Sequence, residues 1–155
     1  MGTEIEKKYL IINDAWRNNA DDGTYMVQGY MGTNEKSSIR VRIHGDTANL
    51  NIKSSTIGIT RSEYDYPIPV DEAKEILESL CDRPYIEKTR YHVMHQDHEW
   101  EVDVFTGDND GLVVAEVELD SVDEEFALPD WAGDDVSDDP RYYNVCLVTH
   151  PYKDW

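Results

Sequence analysis

Glu4-Ile5-Glu6-Lys7-Lys8 stands directly before the apolar run Tyr9-Leu10-Ile11-Ile12. In a β-strand, successive side chains point to opposite faces. Glu4, Glu6 and Lys8 then share one face, two carboxylates and an ammonium in a row. Adjacent carboxylates repel each other, so such a face calls for cations. The pattern recurs downstream with both signs: Arg40 and Arg42, Lys88 and Arg90, Glu101 and Asp103, Glu116 and Glu118 each occupy alternate positions. Carboxylate pairs suit Mg²⁺ or Mn²⁺, which take hard oxygen ligands. Basic pairs suit phosphate oxygens, with Arg as a fork and Lys as a point charge.

These residues need strands to position them. Alternation and turn signals predict strands at 3–12, 24–31, 38–44, 48–53, 59–68, 85–95, 98–105 and 112–119, with Asp22-Gly23 and Gly45-Asp46 as turns. Pro67 and Pro69 are expected to end the fifth strand. Ala73, Ile76, Leu77 and Leu80 give a helical stripe over 70–81. The acidic stretch 120–139 reads as irregular, and Asp139-Pro140 as the cap of a short helix over 141–148. About eight strands at hairpin spacing predict a mainly β (α+β) fold, a closed eight-stranded antiparallel β-barrel with a few flanking helices and a single domain over 1–155.

Each strand has one apolar and one charged face. For any one strand, an open sheet with a solvated outer face is the alternative. Same-sign grouping weighs against it, because like neighbours on a solvated face are mildly destabilising. Packed outward on helices and loops, the apolar faces leave the charges inside a water-filled tunnel, where each must be paired, bound or hydrated.

Composition narrows the partners. Lys and Arg number 14 against 33 Asp and Glu, a formal net charge of −19. This argues against nucleic acid or an anionic membrane surface, and it makes seven basic residues at strand positions (Lys8, Arg40, Arg42, Lys53, Arg61, Lys88 and Arg90) conspicuous. They suggest a small anionic ligand held inside. Cys81 and Cys146 are expected as core thiols rather than a disulfide. With no apolar run long enough for a membrane and no secretory leader in view, a cytoplasmic location is expected; a homodimer is left open. The histidines lack metalloprotease spacing, Asp108-Asn109-Asp110-Gly111 reads as a hairpin loop rather than an EF-hand, and no Walker A loop is present.

Glu4-x-Glu6-x-Lys8, followed by Gln28-Gly29-Tyr30, Arg40-x-Arg42, Ile52-Lys53, Arg61-Ser62-Glu63-Tyr64, Glu87-Lys88-Thr89-Arg90-Tyr91, Trp100-Glu101-Val102-Asp103, Ala115-Glu116-Val117-Glu118 and the segment 139–144, resembles the CYTH superfamily of triphosphate tunnel metalloenzymes across essentially the whole chain. The resemblance implies metal-dependent hydrolysis of inorganic tripolyphosphate to pyrophosphate and phosphate. Adenylate cyclase or nucleoside or thiamine triphosphatase activity on the same scaffold, and a non-catalytic polyphosphate-binding module, are the alternatives. Under it, Glu4, Glu6, Glu116 and Glu118, helped by Asp103, hold one or two Mg²⁺ or Mn²⁺ ions. Lys8, Arg40, Arg42, Lys53, Lys88 and Arg90 neutralise the phosphates. Glu63 or Glu101 moves a proton or orients a base. Arg61 is expected to bind substrate or to pair with Glu63 or Asp65.

Overall fold

Strand β1 (Thr3–Ile11) is the seam of the molecule; the computed structural model describes residues 2–155. Strands β2 (Thr24–Met31), β3 (Ser37–His44), β4 (Thr47–Ser54), β5 (Thr60–Ile68), β6 (Ile86–His95), β7 (His98–Thr106) and β8 (Val113–Glu118) run antiparallel in the order β5-β4-β3-β2-β6-β7-β8-β1. One edge of β1 pairs with β8 from Glu6 to Leu10. Its other edge meets β5 at Thr3–Ile5 and closes the eight-stranded barrel.

A ninth strand, β9 (Ala132–Asp135), occupies the remainder of that edge and pairs with Tyr9 and Ile11. It lies in the acidic stretch expected to be irregular. Four residues with Gly-Asp-Asp at their end carry almost no strand propensity; the open edge of β1 supplies the order. A Cβ at Gly133 would sit 2.5 Å from Cγ2 of Ile12, so any larger residue there must turn that side chain aside. Between the two pairings, the Glu6 N–H donates to the Ile59 carbonyl and the Val136 N–H to the Lys8 carbonyl, both at 2.9 Å.

The fifth strand ends at Ile68, as expected, with Pro67 as its last residue but one, paired with Asn49. Pro67 is tolerated because β1 pairs with β5 only at Thr60–Ser62, so the missing N–H falls on an unpaired edge. Helix α1 (Val70–Leu80) follows and packs Ala73 and Leu77 on Val41 and Ala48, outside the barrel. A second outer layer joins Tyr9, Trp16, Trp100, Val102, Ala115, Val117 and Trp131. The expected C-terminal helix is split into a 3₁₀ turn (Pro140–Tyr142) and α2 (Asn144–Thr149), with the Asp139 carboxylate accepting from the Arg141 N–H.

The inward rows are charged over only part of their length. Glu4, Glu6 and Lys8 are followed by Leu10; Glu118 and Glu116 by Val114; Glu101 and Asp103 by Phe105; Arg90 and Lys88 by Ile86. Tyr30, Ile86, Phe105 and Val114 gather into an apolar floor against Leu147 of α2. Cys81 and Cys146 are free thiols. Among the described residues, no helix is long and apolar enough to cross a membrane.

Candidate active site in the barrel

Above the apolar floor lies a cavity of about 250 Å³. It is lined by every sequence-predicted site residue except Asp103: Glu4, Glu6, Lys8, Arg40, Arg42, Lys53, Arg61, Glu63, Lys88, Arg90, Glu101, Glu116 and Glu118. Strand register brings them together. Glu6 stands beside Glu118, Lys8 beside Glu116, and Glu116 beside Glu101 on adjacent strands.

One wall is acidic. Carboxylate oxygens of Glu6, Glu101 and Glu116 lie within 4.8 Å of one another. An all-oxygen, partly buried trio of this kind fits a hard divalent cation. Burial and the neighbouring Glu116 and Glu4 push the Glu6 carboxyl well above its ordinary 4.5. Burial acts on Glu116 in the same sense, but Lys8, Arg90 and Lys88 outweigh it and hold Glu116 well below that value. Of the two, Glu6 therefore holds its proton more tightly than Glu116. Burial and the charges of Glu4 and Glu101 also raise Glu118.

This separation has a pH consequence. Glu6 contributes stability below 4.5 that is lost as pH rises through its elevated value, whereas Glu116 contributes stability above 4.5 that is lost as pH falls through its depressed one. A cation bound by the trio competes with a proton for the Glu6 carboxylate. The apparent Mn²⁺ affinity, measured by isothermal titration calorimetry, is expected to strengthen with rising pH above 4.5, with proton release. An affinity flat in pH would contradict that account.

Glu4 and Glu63 are committed to a base. Lys53 pairs with Glu4 at 3.1 Å and with Glu63 at 3.4 Å. Lys8 donates to the Tyr142 carbonyl at 3.0 Å and faces Glu116 at 3.6 Å. Asp103, expected to help hold metal, is placed differently. It is fully buried outside the cavity lining. It accepts from Lys88 at 2.7 Å and from Arg90 Nε and Nη2 at 2.8 and 2.9 Å. With its oxygens so engaged, it acts as the counter-ion that aims Arg90 and Lys88. Burial pushes Lys88 down to about 7, and Asp103 opposes that shift.

Arg40, Arg42 and Arg61 differ from the other cavity bases. Among the described residues, none of the three has a carboxylate within ion-pair distance, whereas Lys8, Lys53, Lys88 and Arg90 all do. Arg61, expected to bind substrate or to pair with Glu63 or Asp65, makes neither pair and lies over the Tyr143 ring at 4.7 Å. Burial and the charges of Arg40 and Arg90 push Arg42 down, the signature of crowded positive charge. Nε of Arg40 is buried without a partner. Such groups are costly unless an anion completes them.

Tyr30, Asn49, Asn51, Tyr143 and Asn144 also line the cavity, and sequence reasoning assigned none of them a definite role there. Asn49 and Asn51 carried a usable signal, since they alternate with Leu50 on the inward face. Asn144 stood in the late segment that carries the family resemblance, but only tertiary packing brings it against Lys88.

A closed barrel holding a carboxylate trio opposite unpaired arginines is a protein for a polyanion and a divalent cation. The chain belongs to the CYTH family, whose CYTH domain matches residues 2–143. It is 48% identical over 155 residues to an inorganic triphosphatase of Acetivibrio thermocellus, covering 100% of this chain and 99% of that one. It is 34% identical over 150 residues to an inorganic triphosphatase of Nitrosomonas europaea, covering 94% and 97%. The crystal structure of the inorganic triphosphatase NE1496 superposes with a TM-score of 0.66 at 31% identity, covering 96% of this chain and 95% of that one.

Proposed function

We propose that this chain is a cytoplasmic inorganic triphosphatase that hydrolyses tripolyphosphate to pyrophosphate and orthophosphate with Mg²⁺ or Mn²⁺. The observation that carries the substrate class is the trio Arg40, Arg42 and Arg61, three cavity-lining guanidiniums without carboxylate partners among the described residues. They supply fixed positive charge to a polyanion inside the barrel. Lys8, Lys88 and Arg90, already oriented by Tyr142, Asp103 and Glu101, face the same space. They are placed to stabilise charge that spreads onto phosphoryl oxygens as the P–O bond breaks. Lys53 is held by Glu4 and Glu63, which fixes its ammonium rather than leaving it to follow the substrate.

Glu6, Glu101 and Glu116 would hold the divalent ion, which when bound supplies Lewis-acid polarisation of phosphoryl oxygens or of water. The carboxylates also repel an anion that arrives without metal, so the metal and the triphosphate are bound together. Free thiols at Cys81 and Cys146 fit a reducing compartment.

A substrate panel tests the reading. With Mg²⁺ or Mn²⁺, tripolyphosphate is expected to yield pyrophosphate and orthophosphate in equal amounts. ATP and thiamine triphosphate are expected to turn over at least tenfold more slowly, and EDTA to abolish all turnover. Formation of cyclic AMP, or faster turnover of ATP, would replace this assignment with a nucleotide activity. Tight binding without turnover would leave a polyphosphate-binding module.

A further inference from the structure

Gln28 is fully buried on β2, behind the cavity wall, and is absent from the cavity lining. Its Oε1 accepts from Arg42 Nε at 2.9 Å. Its Nε2 donates to the Tyr30 hydroxyl and to Asn144 Oδ1, both at 3.1 Å. Asn144 Oδ1 also accepts from Lys88 at 2.9 Å. On the opposite side of the arginine pair, Asn49 and Asn51 stand in register with Arg42 and Arg40. Their amides donate to Asp65 at 2.7 and 3.1 Å, and Asn51 donates to Glu63 at 3.1 Å.

The acceptor chemistry divides by region. Lys8, Lys53, Lys88 and Arg90 are met by carboxylates. Arg42 is met by a neutral amide, and amides occupy the carboxylates across from it. A Glu at position 28 would reach Arg42 equally well but would neutralise it. A guanidinium held at Nε by an amide is fixed in direction, keeps its full charge, and leaves its terminal nitrogens for an incoming oxyanion.

We propose that Gln28 is a positioning residue and, with Asn49 and Asn51, forms a neutral amide collar that aims Arg42 while keeping Arg40 and Arg42 unpaired for the phosphate chain. The proposal rests on the triphosphatase reading and adds how the protein keeps its anion-binding charge from being satisfied internally. Gln28→Glu preserves shape, and the Tyr30 hydroxyl can turn to donate to the new carboxylate. It is expected to raise KM for tripolyphosphate at least tenfold, with kcat within about threefold of wild type and Mn²⁺ affinity unchanged. The ligand-free melting temperature is expected to hold or rise, because Arg42 gains a counter-ion. Gln28→Met keeps volume and charge state but removes the orienting acceptor; it is expected to raise KM less than Gln28→Glu.

A merely structural role predicts the opposite: lower melting temperatures for both variants and no selective effect on KM. Equal KM values for folded Gln28→Glu and wild type would overturn the proposal. Failure of the wild-type protein to cleave or bind tripolyphosphate would instead overturn the underlying reading. Should Gln28→Glu fail to fold, Asn51→Ala provides the second arm. It takes one amide donor from each of Asp65 and Glu63, leaving them only Asn49 and Lys53 and so freer to meet Arg40, and an unchanged KM there would also overturn the proposal.

Discussion

Replacing Glu116 by alanine is expected to lower kcat/KM for tripolyphosphate by at least about two to three orders of magnitude, the range seen when one preorganised electrostatic group is removed from an active site. Glu116 is 5% exposed and belongs to two arrangements at once. It shares the carboxylate trio with Glu6 and Glu101, and it faces Lys8 at 3.6 Å and Arg90 at 3.7 Å. The substitution removes a metal-holding oxygen and the charge that keeps Lys8 in place. Breaking a buried ion pair commonly costs about 3–5 kcal/mol. Here the loss should sit at or below the lower end, because Lys8 retains the Tyr142 carbonyl and Arg90 retains Asp103 and Glu101. Glu116→Gln separates the two effects: it keeps the volume and should fold, yet remain inactive at every Mg²⁺ and Mn²⁺ concentration. Near-native turnover of either folded variant at saturating metal would remove Glu116 from the machinery.

Arg42→Gln is expected to behave differently, losing about two orders of magnitude in kcat/KM while the ligand-free protein melts at or above the wild-type temperature. Arg42 is pushed down by burial and by Arg40 and Arg90, so its charge opposes folding. Glutamine can still donate toward Gln28 Oε1, so no acceptor is orphaned. The order should reverse with ligand. Tripolyphosphate at 100 times its Kd stabilises a binding protein by about 2.7 kcal/mol, and the variant, binding weakly, gains little at the same concentration. Paired melts with and without inorganic tripolyphosphate read this directly. A variant destabilised without ligand yet equally responsive to it would show that Arg42 supports the fold rather than the anion.

The alternation of each strand was legible because it is a local, period-two signal. It gave the barrel class and the inward rows, and of the site residues named from the sequence all but Asp103 line the charged cavity. Helix α1 was legible from the equally local 3.6-residue stripe, and the prolines marked the end of the fifth strand at Ile68. Strand β9 was illegible because its order comes from an edge contributed by residues more than a hundred positions away.

The sequence by itself determined which residues face inward, how their charges group, and that an acidic chain concentrates its bases where an anion would lie. Only the tertiary structure decided the pairing. It set Glu6, Glu101 and Glu116 together, gave Glu4 and Glu63 to Lys53, withdrew Asp103 behind the wall as the counter-ion of Lys88 and Arg90, and left three arginines without acids. The reason is geometric. Alternation fixes the face a side chain takes, whereas register between strands and the packing of α2 fix its neighbours, and a charge's neighbours decide whether it is spent within the protein or kept for a ligand.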